Sequence, residues 1–146
     1  MIKEFIDKKR VIFAEGFDSW EEAVAASCQP LIEDGSITAE YIDAIIKSVN
    51  EFGPYIVIAP NICIPHAMAG GPGVNRSAVS MMKTRYPVSF EVGNPEKDAQ
   101  LFFVLAAQEA DEHMENLVKL VDMLSDEEYV EKLLAINSLE DLRKIA

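Results

Sequence analysis

Short β-branched runs alternate along the chain with stretches whose apolar residues recur at helical spacing. The first run, between Arg10 and Phe17, is brief and rich in β-formers, and it predicts a strand. Asp18-Ser19-Trp20-Glu21 follows as a helix-start signal. Ala23, Val24, Ser27, Cys28 and Leu31 then return every three or four residues, as one buried helix face requires. Pro30 predicts a kink or an early end to that helix, and Gly35 closes it. Thr38 is placed to cap a second helix with Tyr41, Ile42, Ile45, Ile46 and Val49 inward, stopped by Gly53-Pro54.

The stretch from Tyr55 to Ala67 is apolar but broken by Pro60 and Pro65, which cannot donate to a sheet ladder. It predicts a strand, a loop and a short extended piece ending at His66. Gly70-Gly71-Pro72-Gly73 is a loop; Arg76–Lys83 predicts a strand with a Tyr86-Pro87 turn beyond it, and Gln100–Ala107 a buried strand. From Asp111 the period is helical again. Met114, Leu117, Val118, Val121 and Leu124 make one face, Tyr129, Leu133 and Leu134 a second helix, and Ser138 opens a last one. Strands alternating with helices, then a helical final third, imply an α/β fold built on a mixed sheet. No repeat, low-complexity tract or linker divides the chain, so residues 1–146 read as one domain.

Composition narrows the class. With 49% hydrophobic and 26% charged residues among 146, the chain can bury a core, which argues against disorder and fibrous forms. Thirteen Lys+Arg against 25 Asp+Glu give a net charge of −12, which disfavours nucleic-acid partners and anionic membranes. No segment is apolar for long enough to be a signal peptide or to insert in a membrane. A cytoplasmic protein with Cys28 and Cys63 as reduced thiols is therefore expected. The charge is uneven, however. Residues 52–90 contain no acid but do contain Arg76, Lys83 and Arg85, together with four glycines and four prolines before Gly73. Such a segment suits a place where an anion sits, and equally a set of buried strands and their loops.

Only two histidines are present, His66 and His113. A neutral imidazole, with its ordinary pKa near ~6.5, can act as a nucleophile at neutral pH without a separate base. His66 ends an apolar strand and His113 opens a helix after another, so both could face one end of the sheet. Spacing alone favours reading them as two unrelated structural residues, one buried and one exposed. Cys63 and His66 have metal-like spacing, but four scattered Cys and His residues make a poor structural metal site. Cys63 reads as a small core thiol rather than a nucleophile. The glycine loop is neither a Walker A nor a dinucleotide motif, so no metal or cofactor is expected.

The segment from Gly53-Pro54-Tyr55 through Ala59-Pro60 to Ile62-Cys63-Ile64-Pro65-His66 resembles the active-site stretch of the mannitol/fructose-type (type 2) enzyme IIA proteins of the bacterial phosphotransferase system. Its Gly-Pro-Tyr form is similar to the L-ascorbate branch. The likeness extends to Trp20–Val24, Leu101–Ala107, His113 and Leu124–Glu128. It implies a three-layer α/β/α domain and a phosphohistidine intermediate at His66, without a cofactor. The implied donor is the phosphocarrier HPr, and the acceptor a cysteine of an enzyme IIB that serves a membrane enzyme IIC for sugar transport. By the same likeness His113 supports the site. Mannitol-type members carry an arginine near the end of the helix before the motif; here Lys47-Ser48-Val49-Asn50 stands there, with Asn50 at the comparable spacing. Arg76, just past the glycine loop, is the candidate for phosphoryl stabilisation in its stead. Two other readings share the shape: a nitrogen-type regulatory enzyme IIA that acts by binding partners, and the interaction domain of anion exchangers. His66 in its Ile-Pro-His context speaks against the latter.

Overall fold

The computed structural model describes residues 1–146. Seven helices and five strands follow one another as α1 (Ile2–Asp7), β1 (Val11–Ala14), α2 (Trp20–Ser27), α3 (Gln29–Glu33), α4 (Ala39–Phe52), β2 (Val57–Ala59), β3 (Asn61–Cys63), β4 (Ala78–Ser89), β5 (Asp98–Ala106), α5 (Ala110–Leu124), α6 (Glu127–Ala135) and α7 (Leu139–Ile145). The sheet is mixed, in the order β1-β4-β5-β3-β2. β1 is parallel to β4 and β3 to β5, while β4–β5 and β2–β3 are antiparallel.

Alternation along β5 divides the core. Phe102, Val104 and Ala106 pack into a cluster with Val24, Leu31, Tyr41 and Ile45 from α2, α3 and α4. Leu101, Phe103 and Leu105 face the other way, onto Phe5, Leu120, Leu133 and Leu142 of α1, α5, α6 and α7. The result is the expected three-layer α/β/α arrangement, with a helical layer on each face of the sheet.

Most helix boundaries follow from local chemistry. Ser19 accepts a hydrogen bond from the Glu22 amide at the start of α2, and Ser138 does the same for Asp141 at α7. The expected break at Pro30 takes the form of two helices: Pro30 is the second residue of α3, where its missing N–H leaves no bond unmade. Gly53 ends α4 at φ 85°, a conformation that suits glycine.

Three features differ from the sequence expectation. α1 was not anticipated; its six residues are too few for periodicity to register. β4 continues past Lys83 to Ser89, so the Tyr86-Pro87 turn is instead an irregularity within a strand. Pairing with β5 lapses between Lys83 and Val88, around the proline that cannot donate, and the Gln100 side-chain amide donates to the Thr84 and Arg85 carbonyls at 3.3 and 2.9 Å. On α5, Leu120 and Leu124 are buried, but Met114, Val118 and Val121 point outward at 57, 50 and 43% exposure. Periodicity identified an apolar stripe there without saying that water would meet it.

Candidate active site

Because β3 and β5 are parallel, the chain leaves both at the same end of the sheet. Residues 64–67, following β3, thereby come beside the start of α5, following β5. His66 and His113 meet there, with ring centroids 5.5 Å apart.

The backbone around His66 is tied at nearly every polar group. The Leu105 amide donates to the Pro65 carbonyl at 3.0 Å. Tyr55 donates its hydroxyl to the His66 carbonyl at 2.6 Å, and its ring meets the imidazole edge-on at 5.2 Å. The Ala67 amide donates at 3.0 Å to the Tyr41 hydroxyl, which itself donates at 2.6 Å to the Leu105 carbonyl. Further on, Gly70 has φ 71° and donates to the Ala107 carbonyl; a Cβ there would stand 2.9 Å from the Gln108 carbonyl oxygen. Glycine is needed at that point of the loop.

The ring of His66 is oriented as firmly. Its Nδ1 lies 2.6 Å from the Ile64 carbonyl oxygen. A carbonyl can only accept, so Nδ1 carries the proton and Nε2 keeps the lone pair. Burial holds the His66 pKa below its ordinary value; the Ile64 bond opposes this and His113 adds to it. His113 Nδ1 is buried with no hydrogen-bond partner. A bare lone pair is easier to bury than an orphaned N–H, which assigns the ring proton of His113 to Nε2.

Both rings line a cleft of about 430 Å³ with Ser48, Phe52, Tyr55, Ala67 and Met68. Its rim is apolar and open to solvent: Phe52 is 72% and Met68 83% exposed, and the α5 stripe begins at Met114, beside His113.

Arg76 does not line this cleft. Its guanidinium donates to the Asp34 carbonyl and lies 3.5 Å from the Asp34 carboxylate, at the turn between α3 and α4. Its place just past the glycine loop pointed to the histidine end of the sheet; the Ser36 carbonyl, which accepts from the Asn75 and Arg76 amides, draws it to that turn instead. Asn50 is exposed and also outside the cleft, and Ser48 and Phe52 are the α4 residues that face it. Cys63 is fully buried, and burial pushes its thiol well above the ordinary range, so it is no nucleophile at neutral pH. Sequence reasoning missed Tyr41 and Ser48. Tyr41 was hidden among the apolar positions of α4, whereas Ser48, four residues before Phe52, marks the face that turns toward the cleft.

The α/β/α layer fold around this mixed sheet is one that known proteins share. Residues 4–146 match the family model of the phosphoenolpyruvate-dependent sugar phosphotransferase system, EIIA 2, and the chain belongs to that family. It is similar to the ascorbate-specific PTS system EIIA component of Escherichia coli K12, at 29% identity over 128 residues, covering 86% of this chain and 80% of that protein. The ascorbate-specific component of Mycoplasma pneumoniae is 34% identical over 116 residues, covering 79% and 71%. Among solved structures, the mannitol-specific cryptic phosphotransferase enzyme IIA of E. coli superposes with a TM-score of 0.86 at 28% identity, covering 99% of this chain and 96% of that one.

Proposed function

We propose that the protein is a cytoplasmic phosphoryl carrier, taking the group from phosphorylated HPr on His66 Nε2 and passing it to a cysteine of an enzyme IIB. The observation that carries this reading is the Nδ1 contact with the Ile64 carbonyl, which leaves Nε2 unprotonated in a cleft shared with His113. In the first step Nε2 attacks phosphorus as the donor N–P bond breaks. In the second, a thiolate of the acceptor attacks phosphorus and the His66 N–P bond breaks. The proton retained on Nδ1 by Ile64 gives the phosphorylated ring imidazolium character and makes it a good leaving group.

Phosphoryl transfer needs in-line positioning and donors for charge spread over three oxygens. His113, through Nε2–H, and the Ser48 hydroxyl are the donors available; Arg76, held by Asp34, contributes from a distance at most. The apolar rim of Phe52, Met68 and the α5 stripe is the docking face for both partners, and covering it keeps water from the N–P bond during transfer. Similarity to ascorbate-specific components and the Gly53-Pro54-Tyr55 segment favour a place in L-ascorbate uptake, with a membrane enzyme IIC downstream. No helix of the chain is itself long and apolar enough to cross a membrane.

Incubation with phosphorylated HPr and intact-mass analysis tests this directly. One phosphoryl group should be added, and none to His66→Ala. His113→Ala should still be labelled but should pass the group on slowly. Labelling of His66→Ala at the wild-type level removes His66 from the role. Discharge to an ascorbate-type enzyme IIB should outpace discharge to a mannitol-type one; the reverse order would reassign the sugar. Labelling without discharge to either would favour the regulatory reading.

A further inference from the structure

A second cavity, of about 410 Å³, lies on the opposite end of the sheet from His66, between β1, the far half of β4 and the α6–α7 connection. Phe13, Ala14, Glu15, Lys83, Arg85, Ile136 and Asn137 line it. Lys83 is only 4% exposed, a rare state for a lysine without a partner. Its ammonium makes no ion pair with any carboxylate of the protein and meets solvent only at the cavity wall. The adjacent Arg85 lies 3.8 Å from Glu15, both side chains being largely exposed, and its guanidinium stands 5.6 Å from the centre of the Tyr86 ring.

In a chain with 25 acids and 13 bases, an unmatched ammonium at the wall of a cavity stands out. Burial holds its pKa below the ordinary value, and Glu15, the carboxylate that lines the same cavity, stays beyond ion-pair distance of it and turns to Arg85 instead. An apolar residue of similar length would fill the place without that penalty. The irregular stretch of β4 adjoins it: pairing with β5 lapses just after Lys83, and Arg85, within that stretch, lines the cavity. The volume is at the small end of ligand pockets, and Phe13 and Ile136 give it apolar walls.

We infer that this cavity binds a small metabolite through an oxyanion group, a phosphate or a carboxylate, seated on the Lys83 ammonium with Arg85 and the Asn137 amide at its edge. The site is separate from the phosphoryl-transfer cleft and does not depend on that assignment.

Amide NMR titration with inorganic phosphate, with acetate, and with sodium chloride at matched ionic strength tests it. Phosphate or acetate should produce saturable shifts centred on Phe13, Ala14, Lys83, Arg85 and Asn137, and the stronger of the two identifies the group. The same shifts should persist in His66→Ala, which separates this site from the transfer cleft. They should lose saturation in Lys83→Met, a near-isosteric variant. Shifts that rise without saturation in all three salts, or that appear only around His66, would overturn the inference. So would an unchanged curve in Lys83→Met. If that variant fails to fold, the wild-type and His66→Ala titrations decide alone.

Discussion

At the scale of single residues, one hydroxyl and one ring nitrogen set the behaviour of the cleft. Tyr41 is 1% exposed and its hydroxyl serves two buried backbone groups, the Ala67 amide and the Leu105 carbonyl. Tyr41→Phe strands both and should cost about 1–3 kcal/mol of stability, read from denaturant midpoints. The same change frees the backbone directly after His66, so phosphoryl acceptance should slow more than the lost stability explains; equal rates would make Tyr41 a core residue only. In the proposed role His66 must be unprotonated to attack. With its pKa held below the ordinary ~6.5, acceptance should stay level down to about pH 6.5 and decline only beneath it. The sign for stability is the same. Below pH ~6.5 the unfolded ring takes a proton that the folded ring still refuses, so stability present above that pH is lost as pH falls toward the folded-state pKa. Rapid-quench rates and an NMR titration of the imidazole check both, and a ring titrating above the ordinary value would contradict them.

At the scale of elements, α5 does two jobs. Leu120 and Leu124 anchor it to the sheet, while Met114, Val118 and Val121 remain outside, one row leading away from His113. Val118→Lys should raise the concentration of phosphorylated HPr needed for half-maximal labelling about tenfold, leaving the melting temperature within a degree or so because little buried area is lost. A normal concentration dependence would place docking elsewhere on the rim. The same helix shows where sequence reading stops. Its apolar period was plain, but periodicity reports a stripe and not what covers it. The strand ends that carry His66 and His113 were legible because Pro65 and the start of a helix punctuate them. The continuation of β4 through Pro87 was not, because a side chain, Gln100, replaces the missing ladder bonds. Arg76 was misplaced for a related reason: its partners, Asp34 and Ser36, lie some forty residues earlier in the chain, and no local pattern signals such a contact.

For the molecule as a whole, an excess of twelve negative charges works against compaction. Raising sodium chloride from about 20 to 200 mM should raise the melting temperature at neutral pH, by screening charges that lie about a Debye length or more apart. A melting temperature that fell instead would mean that the few ion pairs, chiefly Arg10–Asp34 at 2.8 Å, outweigh the repulsion. The sheet's borders carry a different consequence. Both outermost strands are stubs: β1 has four residues and β2 three, the latter paired through an irregular register. Unpaired backbone at a sheet border is the usual template on which one chain recruits another into a growing stack. Here neither border is long enough to hold a stranger in register. Copies of this chain can therefore meet often without seeding one another into aggregates.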